Sequence, residues 1–514
     1  MSPGSPIRNG TINNGNNSNN SNNKSNGNSN GTRRSRYVSG NFAPVTEEVT
    51  AYDLPVTGRI PAHLDGRYLR NGPNPLGIDD AGAHLWTLGA GMVHGVRIRD
   101  GRAEWYRNRW VRSGAVADRL GEPRRGTPVD ERMDISPNVQ VAGLAGRTYA
   151  LLEGGIRPYE LTYELDTVGP CGLGATPQGY SANAHSIVDP HTGELHSLAF
   201  LYGSEHVQHI VMDAAGTVRR STLIEVPGNP YMHDFALTER FVLLYDTQVV
   251  FSPAHLATGV PFTWDERRAA RVGVMPREGG AVRWFELAPH LVGHTLNAYE
   301  RTADELVVDV VRHPPGMDLR NIGASRPTLD RWTIDLAAGT VREERLDDRV
   351  QEFPRLNSRH TGRPYRYGYA AAVELYAPPT GPGDDRPDEG FSNALLKHDL
   401  SRGTVEAHEF GRDGAVGEAV FVAAESPTAE DDGYLMAYVH DPERGAADLV
   451  VLAAQDFTGE PLARIHLPVR VPLGLHGNWV PGGDRAADTA AGGTADRGGD
   501  AGRAEGGGGD AGWN

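Results

Sequence analysis

Four histidines, spread over almost 300 residues, carry the chemistry this chain can offer. They are His185 in SANAHSIVDPHTGEL, His233 in YMHDFALTERFVLLYD, His294 in GHTLNAYE and His476 in VPLGLHGNWVP. No two stand at the close spacing of a zinc finger or a helical HxxxH. If they share one metal, the fold must carry distant segments to a common axis, and every ligand is then a neutral imidazole nitrogen. Such a donor set suits a first-row transition metal and not calcium or magnesium, which take oxygen ligands. The single cysteine, Cys171, excludes an intrachain disulfide and a thiolate cluster.

The chain has 19 histidines, so most of them belong to the surface or are satisfied in the core. Two pairs compete with the set above. His206 and His209 sit in a strand-like run, where residues three apart face opposite sides and cannot readily chelate. His290 and His294 would need a helix; Pro289 precedes them, and the glutamate of the metalloprotease pattern is missing.

Strand signals dominate the elements that must position these residues. RTYALLEGG, HSLAFLYG, HVQHIVMD, RFVLLYDTQVVF, ELVVDVVRH and GYLMAYVHD are short apolar or alternating runs, and long helical periodicity is scarce. Seven times, from Asp100–Gly101 to Asp456–Gly459, an aspartate closes a run and a glycine one to four residues later opens the next. Aspartate bonds its own backbone in a turn and glycine supplies positive φ, so each reads as a hairpin. Repeated hairpins in a long all-β chain suit a β-propeller, with an ordinary multi-sheet protein as the plainer alternative. From 185 to 233 is 48 residues and from 233 to 294 is 61, each near the ~40–50 residues of a propeller blade. The last gap, 182 residues, is about three blades with insertions, so four blades could each send one histidine to the axis.

Residues 1–38 are polar and rich in Asn, Gly and Ser, and residues 483–514 are built mostly of Gly, Ala and Asp. Neither segment can bury enough apolar surface to offset the entropy of ordering, so both are expected to be disordered around one domain at 39–482. The stretch 377–390, APPTGPGDDRPDEG, is the best linker candidate inside it. A formal charge of −16 argues against a nucleic-acid partner. The start lacks the apolar core of a signal peptide and no run reaches membrane-spanning length, so the expected location is cytoplasmic.

The local contexts of the four histidines resemble those of the carotenoid cleavage oxygenases, the family of apocarotenoid and stilbene dioxygenases and the retinal isomerohydrolase. The motifs AHxxxDPxTGEL, xHDFxxT, HxxNAYE and GxHGxW all occur here, in order. The resemblance begins at PVTGRIPAHLDGRYLRNGPNP (55–75), continues through HLWTLGAGMVHGVRI (84–98) and closes with VLAAQDFTGEPLARIHLPVRVPLGLHGNWVP (451–481). It implies a seven-bladed β-propeller with non-haem iron(II), Fe(2+), on its axis beneath a cap of helices and loops. It also implies that His185, His233, His294 and His476 are the iron ligands. Three glutamates that bond the other ring nitrogen of three of these ligands then match Glu153 in YALLEGG, Glu352 in QEFPRL and Glu418 in GEAVFV. Read alone, each glutamate would be a solvated surface charge, but Glu153 and Glu418 lie in apolar runs where an unpaired carboxylate is costly.

The activity implied is dioxygenase cleavage of a C=C bond to two carbonyls, with O2 and an apolar conjugated small molecule as the reaction partners and no organic cofactor. Stilbene-cleaving members commonly carry a lysine just before the glutamate matched by Glu153, where it binds the substrate phenol. This chain has Leu152 there and lysine only at Lys24 and Lys397. A carotenoid or apocarotenoid substrate is therefore favoured over a stilbene or other phenylpropenoid. Isomerisation without oxygen and a metal-free scaffold are weaker readings. An apolar polyene substrate also makes peripheral contact with a membrane surface an expectation. Nothing in the sequence bears on the oligomeric state.

Overall fold

The structure is a computed structural model and describes residues 35–126, 134–144, 146–372, 392–411 and 414–482. The linker candidate at 377–390 and the tail from 483 lie outside these residues, as do residues 1–34. Of the amino-terminal arm only 35–38 are described, and there Tyr37 is buried with its ring 5.1 Å from that of Phe42.

Seven antiparallel sheets stand around one axis as the blades of a β-propeller. The turns explain how the chain makes them. All seven Asp–Gly signals fall between paired strands, and six of the seven glycines have positive φ. Gly459 is the exception. It closes its turn with an N–H to the Asp456 carbonyl, 3.0 Å away.

The ring is closed twice. Gly477–Pro481, near the end of the described chain, pairs antiparallel with Gly66–Pro73 and becomes the innermost strand of the first blade. Val56–Gly58, near its beginning, pairs with Ala463–His466 and becomes the outermost strand of the seventh. Each end of the fold is thus held in a blade built mainly from the other end.

Apolar side chains fill the wedges between neighbouring blades. Between the fourth and fifth, Leu243, Tyr245 and Val272 pack on Leu306, Val310 and Trp332, all of them buried. Burying one such aliphatic side chain contributes about 1.5–3 kcal/mol. Pairing of strands at both edges of a blade leaves little freedom for an inner strand to slip, because a one-residue shift would turn its apolar set outward.

One expected strand is divided. In RFVLLYDTQVVF, Phe241–Asp246 stays in the fourth blade, whereas Val249–Phe251 leaves it to form a ribbon with Phe262–Trp264. The break coincides with Asp246, whose buried carboxylate is bonded by Arg268 and Arg271. Among the described residues the only α-helix is Gly114–Leu120. Loops, the ribbon and short 3-10 turns such as Pro253–Thr258 and Leu319–Ala324 form the rest of the cap.

Candidate metal centre and its cavity

Every blade delivers one of the seven expected residues to the axis. His476 immediately precedes the inner strand of the first blade, and Glu153 follows Arg147–Leu151 of the second. His185 and His233 each stand two residues before the inner strands of the third and fourth, Ile187–Val188 and Phe235–Leu237. His294 lies within Leu291–Glu300 of the fifth, Glu352 within Gln351–Leu356 of the sixth, and Glu418 between Ala415–Val416 and Val420–Ala423 of the seventh.

The four imidazoles face one another. Ring centroids are 4.5 Å apart for His185–His233, 5.1 Å for His185–His294, and 4.7 Å for both His185–His476 and His294–His476. His233 and His294 stand 5.1 Å apart, with their Nε2 atoms at 3.4 Å. Nitrogens bonded to one metal at ~2 Å lie roughly 3 Å apart when adjacent and 4 Å when opposite, so this spacing fits a shared cation. His185 Nε2 is buried and makes no hydrogen bond, with Glu153 Oε1 3.5 Å away, which leaves it open to a metal. The donor set is all nitrogen and therefore suits iron, cobalt or zinc.

Backbone constraints hold the histidines in place. His185 N donates to Gln140 Oε1 (3.1 Å), and His476 N donates to the carbonyl of Val139 (3.0 Å). Asp234, next to His233, accepts from Thr295 N at 2.7 Å and so ties the fourth blade to the fifth beside two of the histidines. His185 has φ 61° and Phe353, next to Glu352, has φ 55°. Positive φ in non-glycine residues costs of order 1–3 kcal/mol and persists where the surroundings over-determine it, commonly at functional sites.

Each glutamate meets the Nδ1 of one of the four histidines and also has an outer partner. Glu153 Oε1 lies 2.6 Å from His233 Nδ1, and Tyr231 Oη reaches both Glu153 Oε2 (3.3 Å) and His233 Nδ1 (2.9 Å). Glu352 Oε2 accepts from His294 Nδ1 (2.6 Å), while its Oε1 accepts from His313 Nε2 (3.1 Å). Glu418 Oε1 accepts from His476 Nδ1 (3.0 Å), and Arg355 grips both of its oxygens at 2.8 and 2.9 Å. With Nδ1 committed outward, Nε2 of these three rings is left for the centre.

Electrostatics follow from this pairing. Burial, reinforced by the neighbouring rings, pushes His185 well below the usual histidine range, which keeps it neutral. Burial opposes charge on His294 too, but Glu352 overrides it and raises His294 to about 8. Burial would raise Glu352 and Glu418; instead His294 holds the first well below the carboxylate range, and Arg355 with His476 holds the second at about 2.

Two spaces open on the cluster. One, of 180 Å3, is lined largely by apolar groups, among them Trp86, Leu152, Phe262, Leu291, Met317 and Phe353, and reaches His233, His294 and His476. The other, of 350 Å3, is the axial channel, lined by polar groups such as Gln140, Asp234, Asn297, Arg355 and Asn478, and reaches His185, His294 and His476.

The competing pairs do not chelate. His206 and His209 lie in the strand His206–Met212, and His209 Nε2 contacts His196 Nδ1 instead (3.1 Å). His290 contacts the carbonyl of Ala288, away from the cluster. The outer partners Tyr231, His313 and Arg355 are absent from the sequence reading.

A family model described as retinal pigment epithelial membrane protein matches residues 42–481. A carotenoid cleavage oxygenase of Mycobacterium tuberculosis is 44% identical over 496 residues, covering 87% of this chain and 97% of that one. Among solved structures, the lignostilbene dioxygenase of Pseudomonas brassicacearum superposes with a TM-score of 0.76 at 26% identity, covering 87% of this chain and 99% of its own. A cobalt-substituted apocarotenoid oxygenase of Synechocystis does so with a TM-score of 0.74 at 27% identity, covering 85% and 97%.

Proposed function

The chain belongs to the RPE65/carotenoid cleavage oxygenase family and is a dioxygenase of that type; on that basis we propose that it binds iron(II) through His185, His233, His294 and His476 and cleaves a C=C bond of a carotenoid or apocarotenoid. The observation that carries this reading is the convergence of four imidazoles, three of which reach an apolar cavity. A cobalt-substituted relative of the same fold supports the metal. When bound, iron(II) supplies open coordination positions and the redox chemistry that oxygen activation requires.

The protein's own part is to orient and to exclude. Glu153, Glu352 and Glu418 set the direction of three imidazoles through their Nδ1 atoms. Trp86, Phe262, Leu291 and Phe353 surround the reacting bond with apolar surface and keep bulk water from it. The conjugated substrate supplies the electrons, so no external reductant is needed.

Leu152 favours the apocarotenoid over a stilbene. Its side chain lines the cavity, where a phenol-binding lysine would have to stand. Lys397 cannot replace it, being held by Asp431 and the carbonyl of Ala454, both at 2.7 Å. Likeness to a lignostilbene dioxygenase keeps stilbene cleavage as the second reading. For an apolar substrate we also propose peripheral contact with a membrane surface. Leu256, exposed on the turn that precedes the cavity-lining segment Gly259–Phe262, is available for it.

The deciding experiment loads the protein with iron(II) anaerobically, adds an apocarotenal or resveratrol, and then admits oxygen-18 gas. Two labelled aldehydes from the apocarotenal support the proposal. Aldehydes from resveratrol alone overturn the substrate class, and no product with iron bound overturns the reaction.

A further inference from the structure

We infer that His313 is a positioning residue for His294, acting through Glu352, an inference that rests on the metal reading above. His313 ends the strand Glu305–His313 of the fifth blade, beside the strand that bears His294. It is buried, and both ring nitrogens are engaged: Nε2 at 3.1 Å from Glu352 Oε1 and Nδ1 at 2.7 Å from Ser325 Oγ.

The donors and acceptors can line up in only one sense once the carboxylate is ionised. Glu352 can only accept, so the hydrogen of His313 sits on Nε2 and points at Oε1. Nδ1 is then an acceptor, and the Ser325 hydroxyl donates to it. On its other oxygen Glu352 accepts from His294 Nδ1, so that the neutral His294 ring presents its Nε2 lone pair to the cluster. The chain of bonds Ser325–His313–Glu352–His294 therefore selects the tautomer of a metal ligand from two side chains away.

A histidine that merely filled the core would need partners, but not this one, since the acceptor it uses already serves His294. The backbone makes room for the arrangement. A Cβ at Gly293 would fall 2.1 Å from Glu352 Oε1 and 2.7 Å from His313 Nε2, so the two groups occupy the space a side chain would take. Ser325 also closes the 3-10 turn Leu319–Ala324, from which Leu319 and Ile322 line the cavity. The same chain of bonds thus anchors a cavity wall to the ligand.

The test is cobalt(II) binding to the full-length protein, read as affinity and as the visible ligand-field spectrum, with thermal unfolding as the check on folding. His313→Leu should weaken cobalt binding about tenfold, the lower end of the loss for partners of metal ligands, and shift the spectrum. His313→Gln places an amide N–H near the position of Nε2 and should restore both. Ser325→Ala should shift the spectrum while leaving the fold intact. A folded His313→Leu with wild-type affinity and spectrum overturns the inference, as does a His313→Gln no better than leucine. Should His313→Leu fail to fold, an unchanged spectrum in Ser325→Ala overturns it instead. Wild-type protein that takes up no cobalt overturns the metal reading itself, a result distinct from failure of the variants.

Discussion

Arg355 and Glu418 meet through two parallel hydrogen bonds, Nε to Oε1 at 2.8 Å and Nη2 to Oε2 at 2.9 Å. The same carboxylate also accepts from His476 Nδ1 and from Gly477 N, so one buried charge serves a guanidinium, an imidazole and a strand end. Because these partners hold Glu418 at about 2, below its ordinary 4.5, its contribution to stability is present above pH 4.5 and is lost as pH falls toward 2. Arg355→Met strands the carboxylate and should cost about 3 kcal/mol, the low end for a buried pair because Arg355 is 27% exposed to the axial channel. Acid titration of the metal-free variant should then show unfolding at higher pH than in the wild type; an unmoved acid limb would count against the role assigned to Arg355.

Leu152 and Glu153 are neighbours in sequence with separate tasks, one lining the cavity and the other contacting His233. Leu152→Lys places an ammonium where a phenolate could pair with it. Turnover of a hydroxystilbene should rise relative to the apocarotenal, by about tenfold for each 1.4 kcal/mol of new interaction. Competition assays with both substrates measure the ratio, and a ratio no different from wild type rejects this account of specificity.

Gly293 stands against Glu352 and His313 with no space for a Cβ. Gly293→Ala should destabilise the fold by about 1–3 kcal/mol, as overpacking does, and should weaken metal uptake by pushing the carboxylate off His294. Thermal unfolding and metal content are the measurements. Normal metal affinity in a folded variant would show that the close approach is dispensable.

In the metal-free protein His294 is raised to about 8 by Glu352, so a proton occupies it at neutral pH. Its stabilising contribution is full below the ordinary 6.5 and lost as pH rises through about 8. A metal must displace that proton, so apparent affinity should climb roughly tenfold per pH unit toward 8 and then level. Glu352→Gln should move the break to lower pH. Cobalt(II) titrations from pH 6.5 to 9 would reveal it, and a flat profile would contradict the assigned pairing.

Much of this arrangement is legible in the amino-acid sequence alone. The Asp–Gly turns marked hairpins because the φ requirement is local, and the motifs around the histidines singled out residues that do converge. Counting blades from the residues was not feasible, because the first blade takes its inner strand from 477–481, some 400 residues away from its other members. Arg355 and His313 escaped notice for a related reason. A buried cation or imidazole announces itself only through its partner, and Glu418 and Ser325 are 63 and 12 residues away in the chain. No periodicity connects such pairs.

The position of His476, one residue before the closing strand, has a consequence for how the protein is made. Three of the four histidines and all three glutamates are synthesised before the segment 476–481 exists. Until that segment emerges, the first blade lacks its inner strand and the cluster lacks its fourth ring. A nascent or truncated chain therefore holds at most three of the imidazoles, and the complete set comes into being with the sealing of the ring. Biosynthesis itself thus defers assembly of the histidine cluster until the ring of blades around it is whole.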